Sequence, residues 1–450
     1  MKFSPSLLAL LAFLTVGAAS AQTPEQQTSG QTRPRTVTVI PPPSQQPVAP
    51  QPQPSQQTQT PAQPTIVIPP ITQQTTSPSS TQSAPPPQHA TLTPPAAPSL
   101  ITSVPATRAL PPDRIRARIT EAERLLKSRP QPTAMTTTFP STDFVTLAAL
   151  DQDSSQIHLL TVPKTVYLVK GAEMTLTSSL GATLQLRVVR VNGVNTAVTV
   201  SDNAGRQLMP LIVEFPIERG GVYRETAYYT SAHPALLSQE LVRAGQNYIH
   251  NMLDLAAKRL RDRGVPVSPV IIDIAERLCV VEHVDHERFR MENRIALYEE
   301  IYSLYALNEL NTYRYAVSFA GAGGMVQMIP STYQMIRRLH PAANLNPDFL
   351  SGMRNHTNAL EAMLLYMSDT WSDLMSNPDV VAAYQSGLAT QSELMAAGYN
   401  SNPARLGLYL NRGGSEWRTL IPRETQTYLQ IYKNLEALIQ TKPRTQISTN

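Results

Sequence analysis

Two glutamates and one glycine-rich turn are the parts of this chain whose residue types and setting suggest chemistry. Glu282 closes an apolar run from Ile271 to Val281, and Glu309 is flanked by Asn308, Leu310 and Asn311. A carboxyl withdrawn from water favours its neutral form, so the end of an apolar helix suits a glutamate acting as a general acid near neutral pH. On that ground Glu282 is the preferred donor, whereas the polar flanks of Glu309 would leave it ionised. Residues 318–330 read Ser-Phe-Ala-Gly-Ala-Gly-Gly-Met-Val-Gln-Met-Ile-Pro. Gly321, Gly323 and Gly324 allow backbone angles and close approaches that side chains resist. Gln327 offers donors and acceptors on one amide, suited to a polar ligand group. His283, Asp285, His286 and Glu287 are close in sequence but lack the His-Glu-x-x-His arrangement of a zinc protease. They are read as a polar rim beside the acid, and neither a metal nor another cofactor is expected.

The placement of Ser318, Gly321, Ala322, Gly324, Gln327 and Pro330 resembles the Ser-x-x-Gly-Ala-x-Gly-Leu-Met-Gln-x-x-Pro run of bacterial soluble lytic transglycosylases. The catalytic domain of that family is goose-lysozyme-like. Ala382 to Gly387 is similar to its Ala-Ala-Tyr-Asn-Ser-Gly, with Gln385 where the family has Asn. Leu420 to Tyr428 resembles its closing Leu-Pro-x-Glu-Thr-x-x-Tyr, in which Glu424 is read as structural. The resemblance spans roughly residues 265–435 and implies cleavage of the β-1,4 bond between N-acetylmuramic acid and N-acetylglucosamine in peptidoglycan. One glutamate would protonate the leaving sugar. It would then take the proton of the muramic C6 hydroxyl, whose oxygen closes onto C1 as an anhydro ring. The resemblance also implies glycan contacts from Ser318, Gly321, Gly324, Gln327 and Gln385, and a hydrogen bond from Tyr384 to the catalytic carboxyl.

Which glutamate fills the role stays open between two positions. Glu309 stands nine residues before Ser318, the usual family spacing, and Ala316-Val317-Ser318 matches the family lead-in. Leu310 nevertheless replaces the Ser expected after the acid. Glu282 ends a run like the apolar helix that leads into the family's Glu-Ser, and Val265-Pro-Val-Ser-Pro fits the entry to that helix. Its spacing to Ser318 is longer by 27 residues, which would have to pack as an extra helix from Ile295 to Leu310.

Around these residues the chain falls into segments. Lys2, the apolar stretch Leu7 to Val16 and Ala19-Ser20-Ala21 read as a secretion signal over 1–21. No later stretch approaches the ~20 apolar residues of a spanning helix. Residues 22–112 hold 23 of the 40 prolines, with few charges. They are read as a disordered Pro/Gln/Thr-rich linker, reaching roughly 280 Å if extended at about 3.1 Å per residue. Residues 113–154 are assigned a short amphipathic helix and a connector. From 155 to 217, β-branched runs punctuated by Gly171, Gly181, Gly193 and Asp202-Asn203 indicate a small all-β accessory domain of five to seven strands, Thr165 to Val169 among them. From 235 to 440 the apolar period becomes helical. Helices are expected over 236–263, 268–284, 295–310, 331–339, 357–374, 380–387 and 425–439. The fold class is therefore α+β, with a mainly α, lysozyme-like catalytic unit.

The charge balance of +4 is mild, and no basic stripe with interleaved aromatics is present. Nucleic acid is thus not an expected partner. Cys279 is the one cysteine, which excludes an internal disulfide; in an apolar helical pattern it reads as a buried, inert thiol. The expectation is an exported enzyme, periplasmic or secreted, acting on peptidoglycan glycan strands. An envelope-spanning assembly that needs local wall opening is a candidate partner. A muramidase using water, and a non-catalytic wall-binding protein on a degraded enzyme fold, are the alternatives.

Overall fold

The structure is a computed structural model that describes residues 110–130, 141–318 and 320–444. The leader expected over 1–21 and nearly all of the linker expected over 22–112 lie outside them. The first described element, α1 (Pro112–Ser128), starts on a proline, whose fixed φ and missing N–H suit a first turn. It buries Ile115, Ile119, Ala122 and Leu126. These side chains pack with Ala148, Leu150, Met209 and Ile212 of the sheet and with Leu236 and Leu241.

The sheet comprises β1 (Phe144–Asp151), β2 (Gln156–Pro163), β3 (Glu173–Thr177), β4 (Thr183–Arg190), β5 (Ala197–Asp202), β6 (Gln207–Arg219) and β7 (Val222–Tyr229). Its order is β2-β1-β6-β5-β4-β3, with β7 also on β6, and every pairing is antiparallel. The sheet is curled. Register shifts fall at Ala148/Ala149, Val188/Arg190 and Ile217/Glu218, and such bulges bend a strand. Pro210 pairs with Ala149 and Pro216 precedes Ile217. Pro210 therefore sits at an irregularity, where a missing N–H costs least, and Pro216 lies one residue before the last regular pair ahead of another.

Two strand expectations change. The sheet extends beyond 155–217 at both ends, because β1 and β7 belong to it. Thr165 to Val169 is not a strand: residues 164–167 form a helical turn, α2 (Lys164–Tyr167), entered from Pro163. That turn carries Tyr167 inward, tilted against Phe215 and donating to the Thr196 carbonyl at 3.2 Å.

The remaining elements are helical. They are α3 (Gln239–Asp262), α4 (Pro269–Val281), α5 (His286–Met291), α6 (Arg294–Asn308), α7 (Pro330–Leu339), α8 (Phe349–Arg354) and α9 (His356–Met375). After them come α10 (Pro378–Gln385), α11 (Gln391–Asn400), α12 (Leu406–Gly413), α13 (Trp417–Leu420) and α14 (Arg423–Leu438). Ser238 caps α3, Asp285 caps α5 and Asn293 caps α6, each accepting backbone N–H groups of the first turn. The 27 residues that lengthen the distance between Glu282 and Ser318 fall among α5 and α6. The second of these is a core helix that buries Tyr298, Tyr302 and Tyr305.

Sheet and helices share one apolar core, which runs from Leu147 and Val213 to Ile249, Leu278, Leu364 and Tyr428. Polar ties reinforce the junction. Asn308 at the end of α6 accepts from Thr230 N and donates to Thr230 O, both at 2.8 Å. Arg190 of β4 reaches Glu300 of α6 at 2.8 Å. The architecture is thus α+β: a curled antiparallel sheet joined to many helices.

Candidate functional site

Glu282 caps the C-terminal end of α4 in right-handed helical geometry, its N–H donating to Leu278 O at 3.0 Å. The apolar run of α4 buries almost every residue from Ile271 to Val281, so the carboxyl at its end is only 7% exposed. Its Oε1 accepts a hydrogen bond from the Tyr428 hydroxyl of α14 at 2.6 Å, a length typical of a hydroxyl donating to a carboxylate. Burial favours the neutral acid, whereas a donated hydrogen bond favours the charged form.

The glycine turn lies against this helix end. His283, the residue after the acid, makes a 2.9 Å hydrogen bond through Nε2 to the Met325 carbonyl, and its ring stacks on Tyr313 with centroids 3.4 Å apart. Tyr399 of α11 donates to the Val326 carbonyl at 2.6 Å. Burial first, and then the charge of Glu282 among its neighbours, push the Tyr399 phenol well above its ordinary range. Two successive carbonyls of the turn are thus held by residues that also adjoin the acid.

Within the turn, Val317 pairs with Gly323 and Gly323 with Met328 as short antiparallel bridges. The Ser318 Oγ accepts from Ala322 N at 3.0 Å. Gly324 has φ +68°, and a Cβ there would lie 2.3 Å from the Met353 carbonyl, so only glycine fits. Gln327 also has positive φ, and its Nε2 donates to the Gly324 carbonyl at 2.8 Å. In this arrangement the amide of Gln327 closes its own turn.

The other expected site residues are placed differently. Glu309 is exposed at the C-terminal end of α6 with φ +46°, next to Leu310, which is 58% exposed. Tyr384 and Gln385 lie at the end of α10, both exposed. The Tyr384 ring, 41% exposed, packs edge-on against Trp371 with centroids 5.4 Å apart. The resemblance implied a hydroxyl from Tyr384 on the acid; a hydroxyl that does reach Glu282 is that of Tyr428. Glu424 is exposed in the first turn of α14. Asp285 is engaged in capping α5, and among the described residues no group of three or more His, Cys, Asp or Glu could hold a metal.

Sequence reasoning missed Tyr399 and His283 as supports of the turn and gave Tyr428 no role. The available signal was position: His283 follows the acid directly, and Tyr428 closes the last matching motif. Cys279 is buried. Burial first, then the charges of Glu276 and Glu282, push its thiol far above the usual range, as fits an inert core residue.

Comparisons with protein-family models, with curated proteins and with solved structures each found no match.

Proposed function

We propose that the chain is an exported peptidoglycan lytic transglycosylase with a lysozyme-like helical unit, in which Glu282 serves as both acid and base. The observation that carries this reading is the junction of a buried glutamate at an apolar helix end with the glycine turn, made through His283–Met325 and Tyr399–Val326. In the first step the protonated Glu282 gives its proton to the oxygen leaving C1 of N-acetylmuramic acid. In the second, the resulting carboxylate takes the proton of the C6 hydroxyl, and that oxygen forms the new bond to C1. The carboxyl ends as it began, and the product carries a 1,6-anhydro end. Tyr428 fixes the carboxyl through its 2.6 Å hydrogen bond and steadies the carboxylate formed between the two steps. The glycine turn presents backbone to the sugar.

Digests of purified sacculi by the wild type, Glu282→Gln and Glu309→Gln test this. Mass spectrometry should find anhydro ends with the wild type and with Glu309→Gln, and none with Glu282→Gln. Loss in Glu309→Gln alone would move the acid to Glu309. Ordinary reducing ends would indicate attack by water. The 7% exposure of Glu282 favours a second reading, a wall-binding protein on a degraded enzyme fold. That reading requires binding to sacculi without release of soluble fragments.

A further inference from the structure

We infer that Glu225, on the last strand of the sheet, is a positioning residue for the glycine turn, so that the sheet forms part of the frame of the site. The inference rests on the reading of that turn as the wall facing the glycan. Glu225 lies on β7, opposite Ile217 of β6. Its Oε1 accepts from Arg354 Nη1 at 2.5 Å, its Oε2 accepts from the Tyr315 hydroxyl at 3.2 Å, and Arg314 approaches to 3.8 Å. The guanidinium groups of Arg354 and Arg314 both lie over the Tyr315 ring, 5.1 and 5.8 Å from its centroid. One carboxylate from the sheet therefore gathers a tyrosine and two arginines from the helical part of the chain.

The segments it gathers are those that grip Gly324. Tyr315 precedes Ala316, whose carbonyl accepts from Gly324 N at 3.0 Å. Arg354 follows Met353, whose carbonyl occupies the space a Cβ at position 324 would need. Gly324 is thus confined between the residue after Tyr315 and the residue before Arg354, and Glu225 binds both neighbours. Without its charge, two guanidinium groups would share one ring and repel each other. Asp348 is a further carboxylate that feels Arg354, but it caps α8 through Ser351 N and is not hydrogen-bonded to Tyr315. An ion pair that merely stabilised the junction would alter melting without altering the turn.

The test compares full-length wild type, Glu225→Ala and Glu225→Gln with Glu173→Gln, which removes a charge from an exposed ion pair on β3. Hydrogen exchange read by mass spectrometry should show the amides of 320–328 exchanging faster in both Glu225 variants, with β1 and α4 unchanged. Turnover on sacculi should fall by about ten- to a hundredfold with binding retained, and Glu173→Gln should match the wild type. Unchanged exchange in 320–328 in either Glu225 variant would overturn the inference, as would a loss of protection spread evenly over the molecule. If the wild type releases nothing from sacculi, the proposed function fails, while the exchange data still decide whether Glu225 holds the turn.

Discussion

At the scale of single residues, the hydroxyl of Tyr428 is the group whose removal says most. It is fully buried and donates to Glu282 at 2.6 Å across 146 residues of sequence. Tyr428→Phe removes the hydroxyl that holds the Glu282 carboxyl in place. Under the proposed reading, losing that positioning bond should lower the rate near neutrality by about ten- to a hundredfold. The cost to stability should be about 1 kcal/mol, the usual net worth of one hydrogen bond. Tyr384→Phe gives the contrast. Its ring packs on Trp371 and is 41% exposed, so the rate should stay near the wild type. Equal losses in both variants would return the partner role to Tyr384. Of the candidate site, the burial of Glu282 at the end of α4 was legible because an apolar run ending in a carboxylate is a local pattern. The hydroxyl bonded to it was not, because that contact depends on how α14 lies against α4.

At the scale of elements, α3 approaches α6 closely at Gly245. A Cβ there would stand 1.8 Å from the Tyr302 carbonyl and 2.5 Å from its carbon. The obstacle is backbone, which cannot rotate away, so Gly245→Ala must push α6 off α3. We expect a loss of about 3 kcal/mol, at the upper end of what overpacking costs, read as a lower denaturant midpoint at unchanged slope. A midpoint within error of the wild type would mean that the two helices separate freely. The long helices were legible because their apolar residues recur at three and four: α3, α4, α6, α9 and α14 lie within a few residues of their expected bounds. Most of the elements that escaped are short or lack a period. Six consecutive residues of α11, Glu393 to Gly398, are buried, and α5, α8 and α13 run for six residues or fewer. Strand β1 is buried on both faces from Val145 to Leu150, which erases the alternation that marks a strand. Thr165 to Val169 misled in the opposite sense. Its β-branched residues favour a strand, but burying Tyr167 against Phe215 required a helical turn.

At the scale of the whole molecule, the sheet and the helices are held together by groups whose protonation opposes folding. His356 is buried at the start of α9, where Nδ1 accepts from the Tyr248 hydroxyl of α3 at 2.9 Å and Nε2 donates to the Thr312 carbonyl at 2.8 Å. Burial, aided by Arg314, lowers its pKa from 6.5 to about 4. His233, between the sheet and α3, is likewise lowered by burial to about 4. Glu300 lies between the two parts of the molecule. Burial acts to raise its carboxyl, but Arg288 and Arg190 outweigh that and hold it at about 2, against an ordinary 4.5. In all three the folded value lies below the unfolded one, so the unfolded chain binds more protons and stability must fall with falling pH. For the histidines the contribution is complete above pH 6.5 and is lost between 6.5 and about 4. For Glu300 it is complete above 4.5 and is lost between 4.5 and about 2. Each histidine is worth on the order of 3 kcal/mol across its window, a large share of the roughly 5–15 kcal/mol that keeps a domain folded. Denaturant titrations at stepped pH should therefore show stability declining already below pH 6.5, before ordinary carboxylates begin to titrate. His356→Gln keeps a donor and an acceptor but does not ionise. It should be less stable at pH 7 yet lose distinctly less between pH 6.5 and 4. A slope over that interval equal to the wild type would show that His356 does not set the acid response, and that the junction of α3, α9 and the loop before the glycine turn tolerates a charge.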